Sequence, residues 1–292
     1  MRTWLNEPMR IDLHVHSNVS DGTDSPTRLV FAAHEAGLDV IALCDHDTFD
    51  GITEAREAGR RIGLTVLPGV EMSTRYKDRP VHLLGYGCDP WNRFLLAELA
   101  ALRASRVNRL QGFLEKLAEL GLPLSEDDVA KSRGLSPSLG RPHIADAMVA
   151  KGYVAHRAEA FERYLGDGKP AYVERYATPI EDAIRLIRGA KGLAVIAHPW
   201  GPGAKDVLTG DALAELARVG LEGIEVDHTD HDPRARELLT ELGARTGLIR
   251  TGSSDYHGTG KLNNPLGINV TRPTAYAEIV NRIAARGGIG PS

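Results

Sequence analysis

The chain has 292 residues, 42% of them hydrophobic, and a formal net charge of -4. That length allows one large α/β domain or two smaller ones with a substantial core, and the acidic balance gives no global field to draw in nucleic acid or membrane. Two cysteines, Cys44 and Cys88, make no disulfide framework, no apolar run nears the roughly 18 residues of a membrane span, and the N-terminus has no apolar leader segment, so a cytoplasmic protein is expected.

In chain order, "RIDLHV" predicts a first strand and "SPTRLVFAAHEAG" a helix, started by Ser25-Pro26 and stopped by Gly37. "DVIALC" is a second strand and "TEAREAGRRIG" a second helix ended by Gly63. "TVLPGVE" is a third strand whose regular pairing is expected to end at Pro68, and "VHLLGYG" is a fourth. From about Trp91 to Tyr172 the pattern is helical throughout, opening with the long "LLAELAALRASRVNRLQGFLEKLAELG". Strands return with "LAVIAH", "GIEVDH" and "LIRTGSSD", each preceded by a helical pattern. The alternation predicts an α/β fold with a mostly parallel sheet, open or closed into a barrel. The expected organisation is an α/β domain over 1–90 and 173–286, a helical insertion or cap over 91–172, and a disordered tail over 287–292.

The polar residues gather at strand ends. The first strand carries His14 and His16, two apart and so on one face, followed by Asp21. The second ends in "CDHD", with His46 between Asp45 and Asp47. Glu71 ends the third, His82 opens the fourth, and His198 ends "LAVIAH". "GIEVDHTDH" leads to Asp227, His228 and His231, and "LIRTGSSDYH" to Asp255 and His257. C-terminal strand ends are where chemistry gathers in parallel α/β folds. Eight of the eleven histidines lie in these segments; His34, His143 and His156 do not.

A lone His-x-His on a strand is weak evidence. Six histidines converging with three carboxylates make a metal centre the expected reading: His14, His16, Asp21, His46, Glu71, His82, His198, Asp255 and His257. Imidazole and carboxylate without thiolate suit Mn²⁺, Fe²⁺ or Zn²⁺ and argue against a structural zinc knuckle. Nine candidates suit two or three ions, the arrangement used for phosphoester hydrolysis.

The motif series "DLHVHSNVSDG", "DHDTFDG", "PGVEMS", "HLLGYG", "AHP", "GIEV" and "SSDYHG" resembles that of the PHP (polymerase and histidinol phosphatase) family, in order and over nearly the whole chain. The resemblance implies a distorted (β/α)7 barrel. It also implies that His14, His16, Glu71 and Asp255 bind a first ion, that Glu71 bridges to a second held by His82 and His198, and that Asp21, His46 and His257 bind a third. Within the insertion, "LGRPHIADAMVAKGYV" and "FERYLGDGKPAYVER" resemble the stand-alone phosphoesterases of the family, among them nucleotide phosphatases and 5′-3′ exonucleases on short RNA. That implies substrate phosphate binding there.

Arg141 and His143 flank Pro142 at a helix start, Lys169 lies in the Gly-rich "GDGKP", and Arg175 follows; such cations suit phosphate. The plain alternative is surface cations paired with Asp146, Asp167 and Glu174. Ser138 and Asn264 are further candidate contacts. His198 or His231 is expected to protonate the leaving group, with His231 preferred to His228. The expected activity is hydrolysis of nucleotide phosphate esters (nucleoside 3′,5′-bisphosphate, AMP or a short 5′-phosphorylated oligonucleotide) by metal-activated hydroxide, with Mn²⁺ as the expected ion. Its expected partners are small nucleotides or short oligonucleotides, not duplex nucleic acid and not membrane. The rivals are a histidinol-phosphate phosphatase, a processive nuclease on long chains, and a binding protein with a vestigial site.

Overall fold

The computed structural model describes residues 9–133, 141–166, 168–174, 176–201 and 204–292. In chain order the elements are β1 (Ile11–Val15), α1 (Pro26–Glu35), β2 (Val40–Leu43), α2 (Ile52–Ile62), β3 (Thr65–Tyr76) and β4 (Arg79–Tyr86). A helical run follows: α3 (Arg93–Glu119), α4 (Glu126–Arg133), α5 (Arg141–Ala150) and α6 (Arg157–Ala160). The α/β pattern then resumes with β5 (Thr178–Pro179), α7 (Ile180–Gly189), β6 (Leu193–Ile196), α8 (Gly210–Val219), β7 (Gly223–Asp227), α9 (Pro233–Thr246), β8 (Ile249–Gly252) and α10 (Pro273–Ala285).

The local signals act as expected. Ser25 caps α1, its hydroxyl accepting from Arg28 N at 3.2 Å, with Pro26 in the first turn. Gly63 ends α2 in the left-handed region at φ 78°.

The strands form one sheet in the order β1-β2-β3-β4-β6-β7-β8, with the short β5 added to β3. The two ends of this order meet: His16 N donates to Tyr256 O and Asp255 N donates to His14 O, both at 2.9 Å. The sheet is thus a nearly closed, distorted barrel, as expected. Along β2 the side chains alternate. Val40, Ala42 and Cys44 join a cluster with Leu84, Tyr86, Val195 and Ile283, while Ile41 and Leu43 pack with Leu29 of α1 and Ala55 of α2.

Two differences from the expected pattern matter. β4 runs antiparallel to both neighbours, pairing Ser73 with His82 and Leu83 with Ile196. The beginning of β4 therefore lies at the same end of the barrel as the C-terminal ends of the parallel strands, which brings His82 to that end. Pro68 does not end β3, whose 12 residues run through it. Pro68 O accepts from Gly87 N at 2.8 Å, so the edge lacking an N–H is the one where the ladder to β4 begins.

The expected disordered tail is also corrected. Ser292 exchanges backbone hydrogen bonds with Val66 at 3.0 and 3.2 Å, and Ile289 N donates to Gly87 O at 2.8 Å. The tail adds a further row of pairing to β3, which its Gly and Pro content did not announce.

The chain divides into two compact units, 1–100 with 177–292, and 101–176. The first division falls inside the 27-residue α3. The second unit has its own core, including Phe113, Leu117, Ile144, Met148 and Leu165. Among the described residues no helix is long and apolar enough to cross a membrane.

Candidate metal centre

β1 delivers His14 and His16 with both rings fully buried and their Nε2 atoms 3.0 Å apart. The following loop is folded tightly back on the strand. Asp45 holds it by accepting from Ser17 N, Ser17 Oγ and Ser20 Oγ at 2.7–2.8 Å. A Cβ on Gly22 would lie 2.6 Å from His16 O, so only glycine permits this approach. The loop places Asp21 Oδ1 3.2 Å from His257 Nε2 and Asp21 Oδ2 3.4 Å from His46 Nε2.

"CDHD" is divided between two tasks. Asp45 holds the loop after β1, and Asp47 accepts from Ser73 N and Oγ at 2.8 and 2.9 Å. His46, between them, faces Asp21 and Glu71.

Glu71 lies at the middle of the cluster. Its Oε2 is 3.3 Å from His14 Nε2, 3.1 Å from His16 Nε2 and 3.1 Å from His46 Nδ1. Its Oε1 is 2.8 Å from His82 Nδ1 and 3.3 Å from His198 Nε2. Asp255 Oδ1 completes the group, 3.3 Å from His16 Nε2 and 3.6 Å from His14 Nε2. All nine sequence-predicted ligand candidates thus join one contact network. Asp47, His198 and Asp255 have φ of 57°, 27° and 53°. Non-glycine residues in that region carry strain, which persists where surrounding contacts enforce it.

The donor set fits divalent ions. Three groups bring ligand atoms within 4.8 Å of one another: His16, Asp21, His46 and His257; His14, His16 and Asp255; and His46, Glu71 and His82. His16 Nδ1 and His228 Nε2 are buried with no hydrogen-bond partner among the described residues. Electrostatics agrees. Burial opposes charge on His16, but Asp255, Glu71 and Asp21 outweigh it and push its pKa up to about 9. Burial likewise disfavours the Glu71 and Asp255 carboxylates, yet the surrounding histidines hold both well below the usual range. A pocket that draws protons this strongly is a pocket for cations.

Several supporting residues were not predicted from sequence. Glu225 is fully buried on β7 and accepts from His198 N at 2.9 Å, lies 3.4 Å from His14 Nδ1, and takes a hydrogen bond from Ser253 Oγ. A charged residue between Ile224 and Val226 in "GIEV" was the available signal. Asp12 accepts from Ser254 N at 3.0 Å and Gly267 N at 2.9 Å; burial outweighs these bonds and pushes its pKa up to about 6.

His228 and His231 are placed differently. Both ring nitrogens of His231 meet backbone: Nδ1 faces Val226 O at 2.8 Å and Nε2 accepts from Trp200 N at 3.3 Å. His228 is the one nearer the cluster, with Nε2 3.6 Å from Asp255 Oδ2. Asn264, expected to touch substrate, is buried and donates to Ser254 O at 2.8 Å, holding the turn after β8.

Arg141, His143 and Lys169 all lie in the second unit. Arg141 is the first residue of α5 and lies over the rings of Phe161 and Tyr172; Lys169 is exposed. Asp146, considered as a partner for these cations, is bound by Arg157 at 2.8 and 2.5 Å. Ser138, Asp167 and Arg175 lie outside the described residues.

A cavity of about 400 Å³ opens on the cluster, lined among others by Asp21, Glu71, His82, His198, Asp255 and Lys261. That is the size of a small-ligand site.

Comparison with known proteins agrees with this chemistry. A family model described as the PHP domain matches residues 12–108. A 5′-3′ exoribonuclease of Haemophilus influenzae is 35% identical over 85% of this chain and 90% of its own length. A 3′,5′-nucleoside bisphosphate phosphatase of Chromobacterium violaceum is 32% identical over 94% of this chain and 97% of its own. Among solved structures, a chain from Bifidobacterium adolescentis, provisionally assigned as a metal-dependent phosphoesterase, is 37% identical. It superposes with a TM-score of 0.79, covering 94% of this chain and 98% of the other.

Proposed function

The chain belongs to the PHP family and is a metal-dependent phosphoesterase, and on that footing we propose that it hydrolyses phosphate esters of nucleotides or of short 5′-phosphorylated oligonucleotides. The observation that carries the reading is Glu71, whose two oxygens face different histidine groups and so suit a carboxylate shared between ions. Two or three ions are the proposed complement, with Mn²⁺ the proposed metal. Bound divalent ions would supply a hydroxide at neutral pH and neutralise the phosphoryl oxygens.

The chain's own residues prepare the site. An Nδ1–H on His14 directed at Glu225 leaves the Nε2 lone pair facing Glu71. An Nδ1–H on His257 donating to Asp255 O at 2.8 Å leaves its Nε2 facing Asp21. His198 Nε2 faces Glu71, so we place His198 among the ligands rather than as the proton donor. Arg141, His143 and Lys169 stay in the proposal as candidates for a second substrate phosphate; support for them comes from the nucleotide-directed relatives.

The test is phosphate release in Mn²⁺ from adenosine 3′,5′-bisphosphate, AMP, a 5′-phosphorylated RNA dinucleotide and histidinol phosphate, for the wild type and for His14→Ala. Turnover of the nucleotides with loss of at least about a hundredfold in the variant is expected. Hydrolysis of histidinol phosphate alone would overturn the nucleotide assignment.

A further inference from the structure

We propose that Lys261 is a substrate-binding residue that contacts the phosphoryl group and favours the doubly charged phosphate of a monoester over the singly charged phosphate of a diester. The proposal rests on the phosphoesterase reading and names the charge state that the site selects.

Three observations carry it. The first is the division of Asp255. Its Oδ1 faces the ring nitrogens of His14 and His16, and its Oδ2 faces Lys261 Nζ at 2.5 Å, with His228 Nε2 further off at 3.6 Å. Lys261 is thus one carboxylate away from the imidazoles. The second is donor capacity. An ammonium has three N–H donors, and Asp255 Oδ2 is the partner of this one among the described residues. Its side chain is 44% exposed while that of Asp255 is 4% exposed, so it spans from open solvent to the cluster.

The third is the charge of the cavity. Its described lining holds four carboxylates, those of Asp21, Glu71, Asp230 and Asp255, and Lys261 is the only lysine or arginine. A phosphate dianion entering here meets repulsion from every carboxylate that the ions do not offset. The extra positive charge of Lys261 matters more for two negative charges than for one.

The position of Lys261 is built. Gly258, at φ 64°, turns the chain after His257; Thr259 N donates to Thr23 Oγ1 at 3.0 Å and Gly260 N to His257 O at 3.2 Å. Asn264 then closes the turn on Lys261 O at 3.2 Å and anchors it to Ser254 O at 2.8 Å. A surface lysine with no task needs no such turn to bring it back over the end of β8.

The competing role is that Lys261 only orients Asp255 for the metal. Lys261→Met, Lys261→Gln and Lys261→Arg separate the two. Each would be measured for Mn²⁺ content and thermal midpoint, for binding of inorganic phosphate by calorimetry on the Mn²⁺-loaded protein, and for kcat and KM on a phosphomonoester and a phosphodiester. The expected result is unchanged metal content and a roughly ten- to hundredfold loss of phosphate affinity in the Met and Gln variants. A matching rise in KM is expected for the monoester, with a smaller one for the diester and partial recovery in Lys261→Arg. Loss of Mn²⁺ with unchanged phosphate affinity per loaded protein would overturn the proposal, as would equal effects on the two ester classes. Phosphate binding is read apart from turnover. A wild type that hydrolyses nothing, yet loses phosphate affinity on Lys261→Met, would defeat the reaction and leave this contact standing.

Discussion

Glu225 illustrates what a single residue does here without facing the cavity. Its two oxygens meet the His14 ring and the His198 backbone, so one buried carboxylate orients parts of two strand ends. Burial raises the carboxyl pKa, but His14, His228 and His198 around it outweigh that and lower it to about 2. It is therefore charged throughout the working range and strengthens His14 as a donor. Glu225→Gln keeps the shape and removes the charge. Mn²⁺ affinity is expected to fall about 10- to 100-fold, measured by titration with electron paramagnetic resonance. An affinity equal to that of the wild type would show that Glu225 serves packing alone.

At the scale of elements, β3 shows how one strand can be read correctly in place and wrongly in extent. Its first half pairs in parallel with β2 and its second half antiparallel with β4, the change falling at Pro68. The outer edge of its first half is covered by the C-terminal segment through Val66 and Ser292. Deleting residues 288–292 removes the bonds of Val66 to Ser292 and of Ile289 to Gly87. At about 1 kcal/mol for each, the loss is expected to be about 2–3 kcal/mol and visible as a lower denaturation midpoint in urea. A midpoint equal to that of the full chain would mean that the tail adds nothing to β3.

Across the whole molecule, the dominant electrostatic fact is the concentration of charge at one end of the barrel. His14, His16 and His198 have raised pKa values: burial opposes their charge, and Glu71, Asp255 and their neighbours more than reverse it. For a histidine with a raised folded pKa, the stabilisation is complete below the unfolded value and is lost as pH rises through the folded one. For His16 that window runs from 6.5 to about 9. Burial and the charge of His16 lower His257, whose effect falls below that window. From His16 alone, metal-free protein is therefore expected to lose about 3.5 kcal/mol between those pH values, at about 1.4 kcal/mol per unit. Bound Mn²⁺ takes the place of the protons, so the loaded protein is expected to keep its thermal midpoint over the same range. Calorimetry with and without a chelator checks this, and parallel pH profiles for the two forms would sink it.

Much of this was legible in the chain because short-range rules govern it. Capped helices, alternating strands and histidines at strand ends are set by neighbours a few residues apart, and these gave the α/β class and all nine members of the cluster, while the closure of the sheet into a barrel came only with the family resemblance. The motif order extended that reading to the family. Other features depend on residues far apart in sequence, and these only folding could decide. The reversal of β4 brings His82 to the active end, Val66 finds its partner at Ser292, and Asp255 turns Oδ1 to His16 and Oδ2 to Lys261. Which side of a carboxylate faces a cavity is a matter of packing and register across distant strands, and no local pattern of residues encodes it.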